Sequence, residues 1–149
     1  MGQMTIYADD VNYWKTGQSS ADSWIDKAKA EIKAAGGRVA SEAYGRDGDG
    51  RGAFLLEFTF GQERYKAIWP VLPTRTKREV DERAARIQAA TMLYHDVKAK
   101  AVSAKVHGVR AAFFQYLVLP DGRTAAQVAA PELAAAYPKM LQAPPNEPV

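Results

Sequence analysis

The chain has 149 residues, 47% of them hydrophobic and 25% charged, with no cysteine and a formal net charge of +3. That length suits one domain with an ordinary core, and the composition excludes collagen-like, disulfide-stapled and wholly disordered chains. The absence of cysteine removes thiolate catalysis and cysteine-based zinc or iron–sulfur sites, and no apolar run approaches the roughly 18 residues of a membrane span.

The opening stretch, Met4 to Gln18, interleaves Tyr7, Val11, Tyr13 and Trp14 with Asp9, Asp10 and Gly17, and reads as an arm that lays aromatics on the core. Met1-Gly2 resembles the start of a myristoylation signal but has Ile6 where Ser or Thr is required. Ser19-Ser20-Ala21-Asp22 marks a helix start, with Ser19 and Asp22 at capping-box spacing. Trp24, Ile25, Ala28, Ile32 and Ala35 follow at three- and four-residue steps, and Gly36-Gly37 ends the helix.

Arg38 to Tyr44 is a candidate strand running into a glycine-rich loop, residues 45–52. Asp47 and Asp49 in that loop have calcium-loop spacing, but Arg51 and Phe58 stand where ligands are needed, so a hairpin loop is expected. Phe54, Leu56, Phe58 and Phe60 then alternate with polar or smaller residues, as do Tyr65, Ala67 and Trp69. Gly61-Gln62 between them suits a type II′ turn, which pairs Phe58 with Tyr65, Leu56 with Ala67 and Phe54 with Trp69 on one face. The other face pairs Glu57 with Lys66, Thr59 with Arg64 and Leu55 with Ile68.

Pro70 and Pro73 stop the strand. From about Lys77 to Val106 neither Gly nor Pro occurs, and the alanine-rich sequence predicts one long helix packed on more than one side. Gly108 breaks it. Residues 111–119, apolar apart from Gln115, fit a buried helix or a buried strand, with the alanine-rich lead-in favouring the helix; Pro120-Asp121-Gly122-Arg123 is a turn, and Thr124 to Leu141 reads as one or two short helices divided at Pro131. The predicted domain is 1–141, with a proline-rich tail over 142–149.

Charge is distributed unevenly along this framework. Residues 1–62 carry 7 basic and 9 acidic side chains, whereas residues 63–125 carry 12 and 6, so the basic field belongs to the middle of the chain. Such a field attracts polyanions. Arg75, Lys77 and Arg78 precede the long helix, Arg64 and Lys66 sit on the outer hairpin face, and Arg83, Arg86, Lys98 and Lys100 follow along the helix. These nine are the candidate phosphate contacts, with Tyr44, Tyr94 and Tyr116 as candidates for base stacking.

Catalytic chemistry is thinly represented. The two histidines, His95 and His107, lie twelve residues apart, and His95 and Asp96, adjacent on a helix, diverge by about 100° and make a poor dyad. No zincin, nucleophile-elbow, Walker or dinucleotide fingerprint is present. The reading is a protein without catalytic residues, cofactor or metal.

Three stretches resemble small proteins encoded by bacteriophages and prophages: Trp69 to Pro73, Ala84 to Lys100 and Phe113 to Thr124. The order of a hairpin-bearing sheet followed by a long basic helix is similar to phage single-strand annealing recombinases, which hold single-stranded DNA in a basic groove and assemble into rings or helices. The resemblance implies a cytoplasmic protein of a bacterial or phage-infected cell that binds single-stranded DNA. The alternative is a small structural protein that forms oligomers. The expected fold is α+β, a sheet of about three antiparallel strands centred on the 54–69 hairpin and covered by helices.

Overall fold

Period-two alternation on both sides of Gly61-Gln62 demands a hairpin, and the computed structural model has it at the expected register. β2 (Gly52–Phe60) pairs antiparallel with β3 (Glu63–Pro70), with Phe54 opposite Trp69, Leu56 opposite Ala67 and Phe58 opposite Tyr65. Gly61 takes φ +61° while Gln62 stays out of the left-handed region, which fits type II′ because type I′ needs both residues there. β1 (Arg38–Arg46) completes a three-stranded antiparallel sheet in the order β1-β2-β3. The structure describes residues 4–17, 19–46, 48 and 50–141, and the side chains of 133, 134 and 136–141 lie outside that description. The Asp47 and Asp49 pair and the 142–149 tail therefore fall outside the described residues.

Alternation decides which face of the sheet is buried. Phe58 stacks on Tyr65 with centroids 5.6 Å apart, and Phe113 meets Phe58 edge-on at 5.6 Å. Leu56 and Ala67 are fully buried beside them. Burying a side chain of this size contributes about 1.5–3 kcal/mol, so this face anchors the sheet. Two helices cover it. α1 (Ala21–Ala34) buries Ile25, Ala28 and Ile32, and α2 (Glu79–His107) buries Ala89, Ala90, Leu93, Val97 and Ala101 in the same core. The alanines let α1 lie along α2, and the Lys29–Glu42 ion pair ties α1 to β1. The opposite face of the sheet carries Leu55, Glu57, Arg64, Lys66 and Ile68 and has no covering layer among the described residues.

Four boundaries differ from the sequence reading. Ser20, rather than Ser19, caps α1: its hydroxyl accepts the Ser23 N–H at 3.1 Å. β1 extends through Gly45-Arg46 because those residues still find partners in Ala53 and Gly52. α2 begins at Glu79, so Lys77 and Arg78 belong to the incoming loop; Glu79, Asp81 and Glu82 fill the first turn, where acidic groups complement the helix dipole. The fourth concerns residues 111–119. α3 (Val109–Ala112) and a 3-10 turn at Phe114–Tyr116 lead into Leu117 and Val118, which bridge to Tyr65 and Thr124. The helix stops there because the Val118 N–H donates to the Arg64 carbonyl at 2.8 Å, capping the outer edge of β3.

α4 (Ala125–Leu141) is one helix, undivided at Pro131, since an interior proline forgoes a hydrogen bond without having to end the helix. Among the described residues no helix is long and apolar enough to cross a membrane.

Candidate nucleic-acid interface

The geometry of the basic region is set by two buried polar side chains on α2. Asp81 is 3% exposed and Gln88 is fully buried. The Asp81 carboxylate receives the Lys15 ammonium at 2.7 Å, the Thr76 hydroxyl, and Arg78 Nε at 3.1 Å. These partners, Lys15 foremost, hold its carboxyl well below the usual carboxylate range despite burial. Gln88 Nε2 lies 2.9 Å from the Ala8 carbonyl, 3.1 Å from that of Val11 and 2.9 Å from that of Asn12. Together they clamp the N-terminal arm against α2. The arm is thus hydrogen-bonded structure as well as an aromatic cover, and the Ala8 N–H also donates to the Pro73 carbonyl at 2.8 Å.

The clamp occupies two of the nine sequence-selected cations. Arg75 pairs with Asp10, donates its backbone N–H to Asp9 at 3.2 Å and lies 4.7 Å over the Tyr7 ring. Arg78 is on Asp81. Lys100 is held internally as well. It pairs with Asp96 at 3.0 Å and sits 5.1 Å over the Tyr116 ring, whose hydroxyl donates to the same carboxylate. Burial, then that hydrogen bond, raises the Tyr116 pKa. Asp96 therefore points away from His95, which stacks on Tyr13 at 4.9 Å and 11°.

The other six do not share one surface. Arg64 and Lys66 project from the uncovered face of the sheet, Lys66 opposite Glu57. Lys98 lies exposed near the Tyr94 ring. Lys77 and Arg86 line a first cleft of about 540 Å³, and Arg83 lines a second of about 480 Å³.

The first cleft lies between the far end of the sheet, the 71–77 loop and the first turns of α2. Tyr44 and Arg46 of β1 line it together with Lys77 and Arg86, and among the described residues Glu82 is the one carboxylate in its wall. Tyr44 is 50% exposed and its ring rests on Phe54 at 4.8 Å. Gly52 is what allows this placement: a Cβ there would run into the Tyr44 hydroxyl. Arg46 is oriented by a 2.7 Å hydrogen bond to the Gly50 carbonyl. Of the three candidate stacking tyrosines, Tyr116 is buried and Tyr94 is half-buried against Trp24, so Tyr44 alone combines a half-exposed ring with neighbouring cations. Arg46 escaped the sequence reading because the strand was expected to end two residues earlier.

The second cleft lies on the other side of α2. Trp24 of α1, Tyr13 of the arm and His95 of α2 supply its rings, Val80 and Ile87 its aliphatic surface, and Lys15 and Arg83 its charges. Tyr13 and Lys15 are the described non-glycine residues with left-handed backbone, at φ +70° and +54°, a conformation costing about 1–2 kcal/mol each. Trp24 Nε1 is buried beneath this surface and has no hydrogen-bond partner among the described residues.

Among the described residues no group of three or more His, Asp or Glu is placed to hold a metal ion. Compared with protein-family models, with curated proteins and with solved structures, the chain finds no match.

Proposed function

We propose that the protein binds single-stranded nucleic acid along the first cleft, with Tyr44 as the stacking ring and Arg46, Lys77 and Arg86 as phosphate contacts. The supporting observation is the convergence of a half-exposed aromatic ring and three cations on one groove. Strand binding without sequence preference asks for that pair of features, since every base has a π-face and every linkage a charge. A duplex stacks its own bases away and gains nothing from Tyr44, so a preference for single strands follows.

Fluorescence anisotropy with labelled single- and double-stranded oligonucleotides tests this, at about 50 and 200 mM salt. Tighter single-strand binding with a steep salt dependence is expected. Replacing Arg46, Lys77 and Arg86 together by Ala should lower the log–log salt slope by about 2–3, because each lost phosphate contact removes roughly one released counterion. Tyr44→Ala should cost about 1–3 kcal/mol at every sequence tested. The Arg64→Ala/Lys66→Ala pair lies on the opposite face and should leave affinity unchanged. Unaltered binding by the triple variant would remove the cleft as the site.

One observation favours an oligomeric role beside this. β1 is an edge strand with eight of its nine residues exposed, and an open edge offers unpaired backbone groups to a second copy. Sedimentation over a wide concentration range should then show self-association, and a monomer throughout would remove the reading.

A further inference from the structure

The second cleft takes no part in that reading, and its wall has a different chemistry. We infer that it binds a small planar aromatic anion of the aryl carboxylate class. Its volume, about 480 Å³, suits a ligand of one or two rings. The Tyr13–His95 stack and the Trp24 ring offer flat faces, and Ile87 lies beneath them. Among the described residues two cations and no carboxylate line the cleft. Their charges are not equivalent. Lys15 is paired with Asp81 at 2.7 Å, a carboxylate it shares with Arg78, whereas Arg83 is exposed and makes no ion pair among the described residues. One uncompensated positive charge beside an aromatic slot matches a ligand with a flat apolar body and one negative charge.

One further observation marks this cleft off from an ordinary surface groove. The described non-glycine residues with left-handed backbone, Tyr13 and Lys15, both belong to its wall. Backbone strain of this kind collects at ligand clamps, where the surrounding structure holds it in place.

The test uses 1-naphthoate as the probe and its neutral counterpart, 1-naphthalenemethanol, as the control. Binding is followed by the indole cross-peaks in proton–nitrogen correlation spectra, that of Trp24 being assigned with Trp24→Phe. The naphthoate should shift the Trp24 peak with a dissociation constant of about 1 mM or lower. The alcohol should bind about tenfold more weakly, a ratio that isolates the charge. Arg83→Gln, on an exposed position, should erase that difference without unfolding the chain. Ala84→Trp should fill the cleft and abolish binding of both probes. No shift of Trp24 at about 10 mM naphthoate would overturn the proposal. So would equal affinity for the two probes in the wild-type protein, or an unchanged ratio in Arg83→Gln. Oligonucleotide binding at the first cleft is measured separately, and neither result decides the other.

Discussion

The two clefts flank the same helix and are held open by opposite means. Arg83 and Arg86 are three residues apart on α2, diverge by about 60° around its axis, and so line different clefts. The first cleft is bordered by strand ends and helix turns whose positions follow from the aromatic core beneath them, and by the 71–77 loop, whose Pro73 carbonyl accepts from Ala8 of the arm. The second is closed by an arm with one short 3-10 turn, Ala8–Asp10, and left-handed backbone at two wall residues. Its shape depends on Asp81 and Gln88 reaching out of α2 to hold lysine and carbonyl partners. A site on regular elements shares the stability of the whole fold, whereas a site on an arm lasts only as long as a few buried polar bonds.

The comparison is broken most forcefully at Gln88. Leu is close in size and has no amide, so Gln88→Leu takes the side-chain donor from the carbonyls of Val11 and Asn12 and leaves that of Ala8 with the Val11 N–H alone. The expected loss is about 1–3 kcal/mol in denaturant unfolding, the usual cost of stranding buried acceptors. The Trp24 response to naphthoate should disappear with it, while the affinity for oligonucleotides persists. Equal damage to both activities would mean that the clefts are one cooperative unit and that the contrast between them is false.

The same contrast explains how much was legible from the residues alone. The hairpin could be read to the exact pair, because period two and a Gly-X turn fix register locally and a slip would expose Phe54, Leu56 and Phe58 together. The long helix was legible from composition. The clamp was not. Asp81 reads as a first-turn acid serving the helix dipole, and nothing in its neighbours says that Lys15, 66 positions earlier, will neutralise it. Gln88 is a lone polar residue in an alanine-rich helix, and its partners are backbone carbonyls, which carry no residue signature. Among the nine cations, spacing showed a basic field but could not separate Lys77 and Arg86, which share a cleft, from Arg75, Arg78 and Lys100, whose partners lie on other elements or another turn. Tyr44 was visible as a tyrosine, but its place in the cleft depends on Gly52, where a Cβ would meet its hydroxyl.

Acid sharpens the comparison by weakening the clamp alone. Asp81 titrates below its ordinary range in the folded chain, so its contribution is complete above about pH 4 and fades as pH falls toward the folded value. In Asp81→Asn that contribution is gone at every pH. The gap in melting temperature between wild type and variant should therefore be widest at neutral pH, begin to narrow below about pH 4 and close only in strong acid. The naphthoate response of the wild type should fall over the same acid range, after allowance for protonation of the probe itself. A gap that stays constant down to strong acid would mean that Asp81 acts through packing and not through its charge.

The smallest effect is expected where neither cleft is involved. Tyr65 lies in the core at the hairpin end of β3, and its hydroxyl donates to Glu63 at 3.1 Å; Glu63 in turn accepts from Arg110 Nε at 2.6 Å. Burial first, and the Glu63 hydrogen bond second, push its pKa up to about 12. The folded chain thus keeps the phenol proton that the unfolded chain begins to lose near pH 10, so stability is intact below that point and declines from about pH 10 to 12. Tyr65→Phe should remove this decline from the alkaline limb of the stability curve. At neutral pH it should cost about 0.5–1.5 kcal/mol for the lost hydrogen bond, since Glu63 keeps Arg110 as its partner. Both binding activities should be unaltered at pH 7, because Tyr65 communicates with the clefts only through a core that the phenyl ring still fills. A change in either affinity would show that the sheet transmits strain from its hairpin end, and the first cleft would then owe its shape to more than the strand ends that border it.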